Sequence, residues 1–265
     1  MPIIIADDSV IENPQFPPIF VPFNAIDGAM AFWRGDFSED LTGNGHTLTK
    51  VGTPTQARLG VSCNKNSGYL TNVPDGINRT LICIHRQPSV LPAPDQTYSY
   101  PFGNVSQRDT LTGVGIGAIQ ASAASINVNN VTAVVGAADK TNTLFAKASA
   151  ASKPAATAMN WQWTAFVVDA DNNFVALYIP QQADEFVMAL LTPGVQLKNR
   201  WTTNMDGSPA YYRIGAWRDP STPVVASSST EVAMVAVFDR PHLISDLRQQ
   251  YQNDKFWMGQ FGYVI

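Results

Sequence analysis

From Ala29 onward, apolar and polar residues alternate in short runs, and turn-forming residues separate the runs. The pattern predicts strands over Ala29–Trp33, Thr47–Val51, Tyr69–Leu70, Thr80–His85, Leu111–Ile119, Ser125–Val128, Val131–Val135, Leu144–Ala148, Thr164–Asp169, Phe174–Ile179, Ala210–Ala216 and Glu231–Phe238. Asp75-Gly76, Asp171-Asn172-Asn173 and Asp206-Gly207 supply turns between them. Thr164 to Ile179 reads as a hairpin around a polar tip. Helical periodicity is confined to one short element near the end: Ser245 is a suitable N-cap, Asp246 suits a first turn, and Leu247 and Tyr251 stand four apart. The following FWMGQFGYVI is apolar and aromatic, so it is expected to be pinned to the body. Many short strands without intervening helices indicate an all-β fold, an antiparallel sandwich or barrel.

Ala31 to Val51 compresses this logic. Phe32 and Trp33 form an apolar strand, and Asp36, Ser38, Glu39 and Asp40 form a polar corner. Gly43-Asn44-Gly45 reverses the chain into a second strand. Asp at such a corner more often caps backbone amides than performs catalysis. Residues 1–28 differ from the rest. Pro2, Pro14, Pro17, Pro18 and Pro22 exclude a helix or a central strand. Yet Ile3, Ile4, Ile5, Phe16, Ile19, Phe20, Val21 and Phe23 would be costly to leave in water. This predicts an extended arm lying either on its own domain or on another subunit, followed by one domain over 29–265.

Composition narrows the function. Charged residues make up 14% of the 265 residues, and the net charge is −4. A surface this poor in charge, without a Lys/Arg cluster, excludes phosphate-backbone binding of nucleic acid. No apolar run approaches the length of a membrane span. The opening MPIIIADDSV carries an acidic pair where a signal peptide has basic residues, so Sec secretion is not expected. Two cysteines, Cys63 and Cys83, make no disulfide framework and read as buried thiols.

Catalytic motifs are weak. Asp36/Glu39/Asp40 and Asp184/Glu185 are the acidic clusters, and neither has paired-carboxylate strand spacing. Asp169-Ala170-Asp171-Asn172-Asn173 begins like a calcium loop, but Phe174 stands where glycine is needed and Pro180 where the closing glutamate belongs. Gly113-Val114-Gly115-Ile116-Gly117-Ala118 fits a dinucleotide fingerprint on paper; without βαβ context it reads as a glycine-rich strand closely approached by other backbone. His46, His85 and His242 show no metal spacing. The remaining candidates are aromatics beside polar groups. Trp201, Tyr212, Trp217, Arg218 and Asp219, near Tyr211, Arg200, Asn204 and Asp206, offer the flat face and hydrogen-bonding rim that a sugar needs.

Taken in order, these pieces resemble a known family. Trp33 followed by Asp40-Leu41-Thr42-Gly43-Asn44-Gly45, Trp163 with Leu177-Tyr178, and Tyr212-Arg213-Ile214-Gly215 are similar to concanavalin A-like lectin/glucanase (laminin-G-like) domains. So is the closing stretch from Val232 to Arg240 with Leu243-Ile244-Ser245-Asp246-Leu247 and Tyr251. The resemblance covers roughly 29 to 252; Pro88 to Ser125 matches nothing in it. It implies two packed antiparallel sheets in a jelly roll, with one short C-terminal helix, and frequent sugar or protein binding. Relatives of this fold carry calcium; here no cofactor is expected, and a single calcium ion has no ligand set to assign. With the proline-rich arm and low charge, the resemblance extends to bacteriophage virion proteins: a tail fibre, baseplate or decoration subunit. Such a subunit would touch other virion proteins or copies of itself through residues 1–28 and present its sandwich to cell-surface glycan. The alternatives are a carbohydrate-binding module outside a virion, with a cytoplasmic location, and a glycoside hydrolase. Binding rather than catalysis is expected, because no catalytic carboxylate motif stands out.

Overall fold

A computed structural model describes residues 23–64, 66–86, 96–104, 113–121, 129–136, 146–152, 161–188, 191, 193–204, 206–215 and 230–265. The strands are β1 (Ala29–Arg34), β2 (Leu48–Val51), β3 (Thr55–Gln56), β4 (Val61–Cys63), β5 (Gly68–Pro74), β6 (Arg79–Arg86), β7 (Gln96–Gly103) and β8 (Gly113–Ala121). They continue with β9 (Asn129–Gly136), β10 (Ala146–Ser152), β11 (Gln162–Asp169), β12 (Phe174–Tyr178), β13 (Val187–Met188), β14 (Tyr211–Ile214) and β15 (Thr230–Phe238). Helix α1 (Ile244–Gly259) follows. The strands pair antiparallel in two sheets. Sheet A runs β13-β12-β11-β6-β15-β4-β3, with β1 also on β15; sheet B runs β10-β9-β8-β7-β14-β5-β2. The chain is a β-sandwich, as the pattern predicts.

Period-2 alternation distributes the central strands of sheet A over two cores. Leu81 and Cys83 of β6, Phe166 and Val168 of β11, and Val235 and Val237 of β15 enter the core between the sheets, with Trp33 and Tyr212. Ile82, Ile84, Trp163, Ala165, Ala236 and Phe238 face the other way, onto Leu247, Tyr251, Trp257 and Met258 of α1. The molecule therefore has three layers, and sheet A is buried on both faces. In β15 the register shifts between Val232 and Met234. At this bulge β15 exchanges one neighbour for another: Thr230–Val232 pair with β4, and Met234–Phe238 pair with β1.

Two expectations about the helix, its extent and its cap, need correction here. The helix starts one residue earlier than Ser245 and runs eight residues past Tyr251, because Trp257 and Met258 extend its buried stripe. Ser245 lies inside the helix and does not cap it; the Leu243 N–H instead donates to Asp246 Oδ2 at 3.3 Å. The strands β3, β4 and β13 are too short to carry a readable pattern, and β7, although eight residues long, is absent from the predicted strands. The root of the arm, residues 23–28, packs on the body. Phe23 stacks edge-on against Phe32 at 5.3 Å. Gln250 Nε2 donates to Phe23 O, and the Ala25 N–H donates to Gln250 Oε1. Residues 1–22 and Ser125–Val128 lie outside the described residues.

The corner between β1 and β2 is built by its own side chains. Asp40 Oδ1 accepts from the Phe32 and Thr42 N–H groups at 3.0 and 3.1 Å, and Oδ2 accepts from the His46 N–H at 3.2 Å. Asp36 accepts from the Ser38 N–H and hydroxyl. Gly43 and Gly45 take φ of +76° and +78°, where a side chain would be strained. Both acids are thus occupied as caps, and Trp33 is a core residue at 1% exposure. In sheet B, Gly103 pairs with Gly115, and a Cβ on Gly103 would stand 2.4 Å from Gly115 Cα. The glycine-rich run is a strand whose backbone is closely approached. Cys63 and Cys83 are free, buried thiols, with burial pushing the Cys63 thiol up to about 12.

Candidate functional site

The predicted aromatic cluster divides at β14. Alternation along this strand turns Tyr211 outward and Tyr212 inward, so Tyr211 is 37% exposed and Tyr212 is fully buried. Tyr212 was expected among the ligand contacts; it is instead a core residue, and its hydroxyl donates to Asp75 Oδ1 at 2.6 Å. Arg200, expected as a polar neighbour of the site, is also buried. Its guanidinium forks onto Asp75, with Nη1 to Oδ2 at 2.8 Å and Nη2 to Oδ1 at 2.9 Å. Its remaining donors reach the carbonyls of Gly76 and Ile77. The Gly76 N–H adds a bond to Asp75 at 2.7 Å.

This is a bidentate pair with its lone pairs and protons satisfied, the condition under which burying two charges is tolerable. Burial alone would push the Asp75 carboxyl up. The Arg200 charge and the bonds from Arg200, Tyr212 and Gly76 outweigh it and hold the carboxyl below its ordinary value. Burial and the Asp75 charge push the Tyr212 hydroxyl well up. The pair ties the end of β5 to the 3-10 turn Leu197–Asn199, which ends at Arg200.

Trp201 follows directly on that anchor. It is half-buried, and its indole Nε1 is enclosed without a hydrogen-bond partner. The next residues form a self-braced loop. Asn204 Nδ2 donates to Ser208 Oγ and Pro209 O, and Asp206 accepts from the Ser208 N–H and hydroxyl. Of the two predicted contacts among the described residues, Trp201 is the partly exposed one; Tyr211, on the next strand, is the aromatic to add to it. Trp217, Arg218 and Asp219 lie outside the described residues.

The neighbouring tip, Asp171-Asn172-Asn173, uses its own oxygens. Asp169 accepts from the Asn172 N–H and side-chain amide, and Asp171 accepts from Asn78 Nδ2 at 2.8 Å. Among the described residues no three His, Cys, Asp or Glu side chains converge as metal ligands. His85 is buried against Thr164 Oγ1 at 3.2 Å, and burial pushes its imidazole down to about 4. Asp184 accepts from the Tyr178 hydroxyl and from Arg248 Nε.

No family model matches the chain, and no curated protein matches it in sequence. Solved structures do match it. The binding domain of botulinum neurotoxin serotype D aligns over 86% of this chain with a TM-score of 0.59 at 8% identity. The serotype D ligand-binding domain in complex with N-acetylneuraminic acid aligns over 85% with a TM-score of 0.57, also at 8% identity. Trypanosoma rangeli sialidase in complex with 2,3-difluorosialic acid aligns over 86% with a TM-score of 0.54 at 13% identity. The chain spans about half of the toxin domains, 51% and 50%, and 33% of the sialidase. At these identities the likeness is one of fold: the chain shares the β-sandwich architecture of those proteins.

Proposed function

We propose that the protein binds carbohydrate through the loop end of the sandwich that carries Trp201. The observation that carries this reading is the placement of Trp201: a half-buried residue that follows directly on a buried bidentate ion pair, with exposed Tyr211 on the next strand. Rigid aromatic faces with a few fixed polar groups suit the C–H faces and hydroxyls of sugars. Two of the structural neighbours were solved with sialic acid or its analogue, which agrees in ligand class. Binding is favoured over catalysis because Asp36, Asp40 and Asp184 spend their oxygens on structural hydrogen bonds.

The finer reading is a structural subunit of a phage virion, in a tail fibre, baseplate or decoration position, that touches host-surface glycan. In it, the arm of residues 1–28 attaches the subunit to copies of itself or to other virion proteins, and repeated copies gain avidity. Its support is the apolar, proline-rich composition of that segment. The test is a glycan array probed with the wild type and with Trp201→Ala. Binding that the substitution weakens by about tenfold, the share of one aromatic contact, upholds the reading. An array without signal, or an unchanged signal in a folded Trp201→Ala, refutes it.

A further inference from the structure

β6 runs from Arg79, beside Pro74 and the Asp75 anchor, to Arg86, so its far end lies roughly 23 Å from the Trp201 region at about 3.3 Å per residue. Four side chains stack there. The Arg86 guanidinium lies 4.6 Å from the Trp161 ring centroid and 5.8 Å from that of Tyr263. Arg58, in the turn between β3 and β4, lies 5.7 Å from the same Tyr263 ring. Trp161 and Tyr263 meet edge-on at 6.0 Å.

Two guanidiniums share one phenol ring, which concentrates positive charge there. Arg86 has a carboxylate partner, since Glu231 Oε2 is 2.5 Å from its Nε. Arg58 is exposed and has no carboxylate partner among the described residues. Trp161 is 4% exposed, and its indole N–H, a further donor in the stack, is enclosed without a partner. What faces solvent at this end is the Arg58 guanidinium, lying over the half-buried Tyr263 ring beside the Arg86–Glu231 pair. A planar fork matches a carboxylate bidentately, and an aromatic face beside it suits the C–H face of a sugar.

We infer that this shelf is a second site, which takes the carboxylate of an acidic saccharide on Arg58. The saccharide class rests on the carbohydrate-binding reading; the residues are independent of it, at the other end of the sandwich.

The experiment is calorimetric titration of the full chain with 3′-sialyllactose and with trigalacturonate. Lactose and fully methyl-esterified trigalacturonate are the neutral matches. At least one acidic probe is expected to bind about tenfold or more tightly than its match, the discrimination expected of one charge-assisted contact. Arg58→Ala should abolish that preference, Arg58→Lys should restore part of it, and Trp201→Ala should leave it unchanged. Arg58 is exposed, so melting curves of its variants should overlay the wild type. Acidic probes that bind no better than their matches, or a preference that survives Arg58→Ala, overturn the inference. If neutral sugars bind and depend on Trp201 while no acidic preference exists, this site fails and the first stands. If acidic binding depends on Arg58 and nothing depends on Trp201, the reverse holds.

Discussion

Two fully buried groups should make the stability of this protein nearly independent of pH over a range where each alone would tilt it. Asp254, on the inner face of α1, accepts from Trp163 Nε1 at 2.8 Å and Gln250 Nε2 at 3.0 Å. Burial pushes its carboxyl from 3.8 up to about 7, against those bonds and the Arg34 charge. The folded state therefore holds this proton more tightly than the unfolded chain. The stabilisation it brings is complete below pH 3.8 and is lost as pH rises to about 7. About three pH units at ~1.4 kcal/mol per unit amount to about 4 kcal/mol.

His85 acts in the opposite sense. Its imidazole falls from 6.5 to about 4, so the unfolded chain takes up the proton first. The folded state loses stability as pH drops from 6.5, by about 3 kcal/mol over the same linkage. His242, also lowered by burial, adds to that slope. Asp75, whose carboxyl is lowered, acts below its ordinary value of 3.8 and leaves the window untouched. Between pH 4 and 6.5 the opposing slopes largely cancel.

Asp254→Asn removes one slope. Urea unfolding followed by tryptophan fluorescence at half-unit steps should then show stability rising with pH, by about 3 kcal/mol from pH 4 to 6.5. The constant offset from placing an amide beside Gln250 does not enter, because the readout is the slope. His85→Gln should show the converse, a fall of similar size. An Asp254→Asn profile parallel to the wild type would refute the reasoning, since it would mean that the carboxyl titrates alike in both states.

Two further outcomes follow from the buried polar groups. Tyr212→Phe leaves Asp75 and Arg200 paired but deletes the 2.6 Å bond, and should cost about 1–3 kcal/mol in urea unfolding, the range for a bond to a charged group. Asp40→Ala frees three backbone N–H groups at once and should cost about 2–4 kcal/mol, with the loss of amide-exchange protection confined to Phe32, Thr42 and His46.

What the sequence made legible was local. The β1–β2 corner could be read because Asp36 and Asp40 bond two to eight residues away, and the longer strands of sheet A (β1, β6, β11, β12 and β15) because alternation and apolar runs survive in one dimension. The third layer was also written there, though less openly: the run from Val232 to Phe238 is apolar on both faces, which an antiparallel strand needs when both faces are covered. Tyr212 was misplaced for a related reason. Adjacent tyrosines on one strand must face opposite ways, and deciding which one enters the core requires knowing that Asp75 lies beneath it. The Asp75–Arg200 pair spans 125 positions, and no periodicity connects them. Trp161 and Tyr263 likewise meet only because the C-terminal tail returns across sheet A.

Gln250 carries a mechanical consequence. Its side chain bonds both Phe23 and Ala25, and through Asp254 it is linked to Trp163 in the middle of sheet A. The last residue is held on the same helix, with the Tyr251 hydroxyl donating to Ile265 O at 2.8 Å. Both ends of the described chain are thus fastened to α1. Tension applied between them loads the helix before it reaches the strands, so the helix would peel away first and leave the two sheets still closed on each other.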